Sequence, residues 1–186
     1  MTLPMKRSAL LVIDAQESFR QRSIWSEIDP TPYFSRQQAL IDGCLERNVP
    51  VVRIFHVDPE GTFSLASGFV RPLEELLYTP TVTFQKHYHS ALAGTALGAW
   101  LLEQGISRLI VSGIRTEQCC ETTTRHASDS GFAVDYVSEA TLTFPMTHAR
   151  SGRTYSPQEI REQTELVLED RFARIVTVEQ ALAALA

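Results

Sequence analysis

Three residue types, far apart in this 186-residue sequence, could do chemistry together. The stretch VSGIRTEQCCETTTRHASDSGF (111–132) places Cys119 and Cys120 side by side, in a chain with only three cysteines. Asp14 closes the apolar run ALLVID, and Lys86 closes TVTFQK. A thiol, a carboxylate and an ammonium form a set for nucleophilic catalysis. The thiolate is the attacking form, yet a free thiol has a pKa of about 8.5; a nearby cation and a helix N-terminus both favour ionisation. A carboxylate can take the thiol proton and later pass it to a leaving nitrogen. Backbone N–H groups in the turn before the helix can hold a developing oxyanion. Singly, each residue has an ordinary reading: an Asp capping the next helix, a solvated rim Lys, a cysteine packed as a small hydrophobe.

Positioning them falls to an alternation of strands and helices. Five short apolar runs read as strands: 9–14, 49–57, 107–113, 133–138 and 173–178, with a weaker sixth at 81–86. They lack clean polar alternation, as strands covered on both faces should. Between them lie helical patterns. Residues 33–48 carry a stripe of Phe34, Leu40, Ile41, Cys44 and Leu45. Residues 94–106 carry Leu97, Leu101 and Leu102, with Gly105 as the stop. The pattern 116–131 opens at Thr116 as N-cap and ends at Gly131. The next opens with Ser156 as N-cap, Pro157 at the first helical position and Glu159 completing a capping box, and VEQALAALA (178–186) closes the chain. The alternation implies one α/β domain over 1–186, a Rossmann-like three-layer α/β/α arrangement on a mainly parallel six-stranded sheet. Chemistry in such sheets sits at the carboxyl ends of the strands. Asp14, Lys86 and the turn before Cys119 all stand there.

Composition narrows the classes of function. Apolar content of 44% and charged content of 21% are those of an ordinary globular domain. A net charge of −5 argues against a nucleic-acid partner, which normally meets a basic face. No run approaches the roughly 20 apolar residues of a membrane span. The segment MTLPMKRSALLVID reads as neither signal nor transit peptide, and three cysteines make a poor disulfide framework; a reducing cytoplasm is the expected compartment.

The segments ALLVIDAQESF, QKHYHSALAGTALGAWLLEQGI and VSGIRTEQCCETTTRHASDSGFAVDYVSEAT resemble the three signature segments of the isochorismatase-like cysteine hydrolases. That family reads Asp-x-Gln-x-x-Phe, then Lys-x-x-x-Ser-Ala-Phe, then Gly-[Ile/Val]-x-Thr-x-x-Cys-Val-x-x-Thr-Ala. Counting from Gly113 and Thr116, the nucleophile falls on Cys119 and the usual valine on Cys120. Helical spacing agrees: Cys120, Thr124 and Ala127 form a stripe for the sheet, and Cys119 is turned about 100° away. The rival reading of the doublet is a redox pair, although vicinal disulfides are strained. The resemblance implies a triad of Asp14, Lys86 and Cys119. It also implies a cis peptide at Ile114–Arg115, with the N–H groups of Arg115 and Cys119 as oxyanion donors. A cysteine in register points away from the vinyl-ether-cleaving branch and toward C–N hydrolysis of a small-molecule substrate through a thioester. Nicotinamidases of the family add a metal held by an Asp-x-His pair and another His. Here His56 precedes Asp58 and no second His follows until His87, so no metal and no cofactor are expected. The resemblance further implies a homo-oligomer. An ester or vinyl-ether hydrolase, and a ligand-binding or thiol-redox protein on the same scaffold, are the alternatives.

Further residues carry split readings. Phe19 lines a pocket or the core; Gln16 bonds near the site or caps the turn; Trp25 walls a pocket or an interface. Arg115 binds a substrate carboxylate or faces outward. His87 and His89 are expected at a rim. A dyad of Cys119 with His126 is disfavoured, since two helical turns span about 10 Å. The stretch 142–158, with Phe144, His148 and Arg150, reads as a lid or an oligomer arm.

Overall fold

The computed structural model describes residues 7–185, so the first six residues of MTLPMKRSALLVID and Ala186 lie outside the described part. Six strands form one sheet: β1 (Arg7–Ile13), β2 (Val51–His56), β3 (Val82–Lys86), β4 (Ile106–Ile114), β5 (Ala133–Leu142) and β8 (Arg174–Ile175). Their order is β3-β2-β1-β4-β5-β8, and every pairing is parallel. The helices are α1 (Thr31–Glu46), α2 (Leu97–Glu103), α3 (Glu121–Asp129), α4 (Pro157–Leu168) and α5 (Val178–Ala183).

Strand β1 shows why the apolar runs lack alternation. Leu10 and Val12 point to one face, where they join Leu40, Ile41 and Cys44 of α1 and Val178 and Ala181 of α5. Ala9, Leu11 and Ile13 point to the other, among Leu97 and Leu101 of α2, Cys120 just before α3, Ala127 of α3 and Leu168 of α4. Both faces are apolar because both are covered. The chain order runs outward from β1 in one direction through β2 and β3. It then crosses over to β4 on the other side of β1. The gap between the ends of β1 and β4 is therefore the topological switch point, where α/β sheets open a crevice.

Several expectations change. The stripe on α1 turns slightly, exposing Leu45 (39%) and burying Gln37, whose amide donates to Ser112 Oγ. Leu102 is 71% exposed, while Leu97 and Leu101 are fully buried. The run 173–178 yields only the two-residue β8, because Thr177 leaves the sheet to cap α5, accepting from Gln180 N while the Gln180 side chain bonds back. Thr116 is not an N-cap. Its hydroxyl pairs with Thr141 Oγ1 on β5 at 2.7 Å, and residues Thr116–Cys120 form one wide π-type turn ahead of α3. Ser156, Pro157 and Glu159 do form the expected capping box. The stretch 142–158 holds a short antiparallel hairpin, β6 (Met146–Thr147) with β7 (Thr154–Tyr155).

The switch point depends on one glycine. Gly113 pairs with Ile13 across β1 and β4, at φ +124°, and a Cβ there would lie 2.0 Å from the Ile13 carbonyl oxygen. No side chain fits unless the two central strands separate. Gly113→Ala is expected to cost at least about 3 kcal/mol, from overpacking plus the left-handed backbone. Urea unfolding of the two proteins checks this; a loss below about 1 kcal/mol would mean that the strands can part there freely.

Candidate active site

The sheet register delivers the three groups to one point. Asp14 follows β1 directly; its N–H donates to Ile54 O of β2, and it leaves the strand in the left-handed region at φ +50°, a conformation that Asp tolerates better than most residues. Lys86 ends β3, opposite His56 at the end of β2. Cys119 lies in the wide turn that follows β4. The turn begins after a cis Ile114–Arg115 peptide. Two contacts fasten the segment after Lys86 to the helix after Cys119: Ala91 N donates to Thr123 Oγ1, and Ser90 Oγ meets His126 Nδ1 at 2.8 Å. His126 is thereby occupied away from Cys119.

Lys86 is the centre of the arrangement. Its ammonium is fully buried and stands 2.9 Å from Asp14 Oδ2, 3.0 Å from His56 Nδ1, 3.1 Å from the Tyr88 carbonyl oxygen and 3.3 Å from Cys119 Sγ. Burial alone would push its pKa down, but Asp14 and Cys119 outweigh this and hold it above the ordinary lysine value. The stabilisation it brings is therefore complete below that value and is lost only as the pH rises beyond it. The Cys119 thiol is pushed up, first by burial and then by the Asp14 carboxylate, and Lys86 offsets only part of this. The helix end and the lysine, which favour ionisation, are thus opposed here by burial and by Asp14. Beside the thiol, Asp14 Oδ1 is buried with no hydrogen-bond donor.

A cavity of about 170 Å³ opens onto this cluster. Asp14 and Cys119 line it, together with Phe19, Phe63, Arg22, His56, Asp58, His89 and Gln118. Phe19 meets Phe63 edge to face at 4.9 Å, so its ring is part of both wall and core. Cys120 is fully buried on the sheet side with Thr124 and Ala127 and does not line the cavity. The doublet is therefore one cavity thiol beside one packing thiol.

Other predicted residues lie elsewhere. Gln16 is fully buried; its amide bridges the His56 N–H, the His56 carbonyl and Ser18 Oγ, tying β1 to β2 rather than lining the cavity. Trp25 packs on Phe34 and Phe144, one layer out. Arg115 pairs with Glu117 at 3.0 Å and lies over the Phe144 ring, so its side chain is outside the lining. Phe144 is fully buried, whereas His148 and Arg150 are exposed on the hairpin. His56 and Asp58, weighed in the sequence only against a metal pattern, and Arg22, which no motif marked, line the cavity. The available signal for His56 was its place at the end of a strand beside the Lys86 strand.

Asp14, His56 and Cys119 also bring a possible ligand atom each within 4.8 Å of one another. That donor set does not fit an ion. All three atoms converge on the Lys86 ammonium, which is itself the cation there, and the second His56 ring nitrogen is engaged by Asp58 Oδ1 at 2.9 Å.

The family profile of the isochorismatase domain matches residues 8–180. The chain is 27% identical to the uncharacterized isochorismatase family protein YrdC of Bacillus subtilis, over 95% of both chains. It is 31% identical to Nicotinamidase 3 of Arabidopsis thaliana over 75% of both. Among solved structures, a cysteine hydrolase from Pseudomonas syringae shares the fold at a TM-score of 0.85 and 19% identity, covering 99% of this chain and 95% of that one. The chain belongs to the isochorismatase family, and it is an isochorismatase-family hydrolase on that family's α/β fold. No helix of the described residues is long and apolar enough to cross a membrane.

Two outcomes follow from the buried cluster. Removing Asp14 charge or Lys86 charge should move Cys119 ionisation in opposite directions. The midpoint of the pH profile for iodoacetamide labelling, followed by peptide mapping, falls in Asp14→Asn and rises in Lys86→Met; midpoints that do not separate would mean that the two charges do not reach the sulfur. Lys86→Met also leaves Asp14 alone in a dry site, at a cost of about 3–5 kcal/mol near neutral pH. An isolated buried carboxyl binds its proton more tightly in the folded state, so this deficit shrinks as the pH falls. Unfolding curves at neutral and mildly acidic pH test this; an equal deficit at both would contradict it.

Proposed function

We propose that the protein is a metal-free cysteine hydrolase that cleaves a C–N, amide-type bond of a small molecule through a thioester on Cys119. One observation carries this reading: the cavity thiol shares the buried Lys86 ammonium with Asp14. The nicotinamidase relative supports C–N hydrolysis over the vinyl-ether chemistry of the family's name. The cavity is smaller than the roughly 300–1,000 Å³ that drug-sized ligands occupy, which suits a small amide.

In the proposed cycle Asp14 takes the Cys119 proton as Sγ attacks the carbonyl carbon. Transfer during attack removes the need for a standing thiolate, whose burial would be costly. The oxyanion is received by the N–H groups of Arg115 and Cys119. Asp14 returns the proton to the nitrogen, the C–N bond breaks, and ammonia or an amine departs. Water then enters, gives a proton to Asp14 and adds to the thioester carbon. The acid leaves, and Cys119 recovers its proton from Asp14. Lys86 stays cationic throughout and holds the other two in register.

The reading is tested by ammonia release from a panel of small primary amides that includes nicotinamide. Activity is expected on at least one. Cys119→Ala should lower it by at least about 10³-fold and Asp14→Asn by about 10²–10⁴-fold, whereas Cys120→Val should stay within about threefold of wild type. Activity that survives Cys119→Ala would refute the covalent route.

A further inference from the structure

The buried lysine has a partner that the triad does not use. His56 Nδ1 stands 3.0 Å from Lys86 Nζ, and His56 Nε2 stands 2.9 Å from Asp58 Oδ1. An ammonium has hydrogens and no lone pair, so it can only donate; His56 Nδ1 must be the acceptor. Asp58 Oδ1 accepts as well, so Nε2 carries the hydrogen. The two contacts together permit one neutral tautomer. Neither contact can be made if the ring is turned over, because the carbons Cδ2 and Cε1 would then take the places of the two nitrogens. The backbone on both sides of the ring is fixed too: Gln16 bonds the His56 N–H and its carbonyl, and Phe63 stands edge-on to the ring at 6.0 Å.

We infer that His56, oriented by Asp58, is a positioning residue for Lys86: its bare Nδ1 holds one ammonium hydrogen so that the cation stays between Asp14 and Cys119. The inference rests on the reading of Cys119 and Asp14 as the reacting pair. Its consequence is a sensitivity to acid. The charged and titratable groups that face His56 are Asp58 on its own segment, Lys86 from β3, Asp14 from the end of β1 and Cys119 from the turn after β4; Arg22 and His89 line the same cavity. Protonating His56 puts an N–H against the Lys86 N–H groups, with like charges 3.0 Å apart and no acceptor left between them. Lys86 is then displaced, and the site fails on the acid side. The Asp58 side chain is 48% exposed and that of His56 17%, so solvent protons reach the pair, whereas Lys86 is sealed.

The test uses a generic acyl donor, p-nitrophenyl acetate, in single turnover. Cys119 Sγ bonds to the acetyl carbon, the thiol proton passes to Asp14, and p-nitrophenolate leaves. Wild type should show an acid limb in its acylation rate. His56→Leu removes the acceptor and should slow acylation by about tenfold or more at neutral pH. His56→Asn offers a carbonyl oxygen in place of Nδ1 and cannot be protonated. It should recover the greater part of that loss and move the acid limb to lower pH. Asp58→Asn should fall between wild type and His56→Leu. A second readout needs no turnover: long-range ¹H–¹⁵N spectra of ¹⁵N-histidine protein should show His56 with Nε2 protonated and Nδ1 bare at neutral pH, a preference lost in Asp58→Asn. Leu and Asn variants that behave alike, an acid limb that does not move, or an Nδ1-protonated ring would each overturn the inference. If wild type does not acylate at Cys119, the hydrolase reading fails instead, and the spectra alone decide whether His56 holds Lys86.

Discussion

One buried ammonium organises this protein. Taking a lysine out of water costs several kcal/mol unless charge and hydrogen bonds replace the solvent. Here the replacement comes from four separate places: Asp14 at the end of β1, His56 at the end of β2, the Tyr88 carbonyl after β3 and Cys119 in the turn after β4. Each lies at a carboxyl end of the same sheet, so the parallel register itself assembles the shell. Without that register the lysine would have neither water nor partners. The close approach of β1 and β4 at Gly113, the wide turn at Thr116–Cys120 and the Gln16 bridge between β1 and β2 all serve to bring those ends together.

The same constraint shapes the chemistry. A site dry enough to strengthen the Asp14–Lys86 pair is also dry enough to penalise a free thiolate. The two effects pull on Cys119 in opposite senses, and burial with Asp14 prevails over Lys86. A thiol whose ionisation is opposed reacts more slowly with casual oxidants and alkylating agents, whose attack needs the thiolate. In the proposed cycle Cys119 reacts when a carbonyl sits close enough for proton transfer and bond formation to proceed together. Cys44 shows the contrast: burial raises it to about 12, and it lies in the apolar cluster under α1, away from the cavity lining, so it remains packing.

Much of this was legible in the residues. The apolar runs, the strand-ending Asp14 and Lys86, and the spacing from Gly113 to Cys119 are local features of the chain, and the sheet, its order of elements and the cavity thiol followed from them. What escaped depended on partners distant in sequence. Leu45 and Leu102 sit on helical stripes whose width the pattern overstates. Thr116 has the residue type of a cap, but Thr141, 25 residues on, claims its hydroxyl. Arg115 looked free to meet a substrate until Glu117 and Phe144 were in place. His56 was weighed only as a metal ligand, because nothing in RIFHVDPEG reveals that β2 and β3 pair with His56 opposite Lys86. The setting of Cys119 was half legible for a similar reason: proximity to a cation is visible in a motif, and burial, which opposes ionisation, is not.

The central claim is that Cys119 carries the acyl group during turnover. The most direct measurement is acid quenching of the enzyme while it hydrolyses an amide, followed by intact-mass and peptide analysis. The account predicts an added acyl mass on the peptide that contains Cys119 and Cys120, retained in Cys120→Val and labile to hydroxylamine as a thioester is. Steady turnover with no modified Cys119 at any quench time, or an acyl group on Cys120, would contradict it.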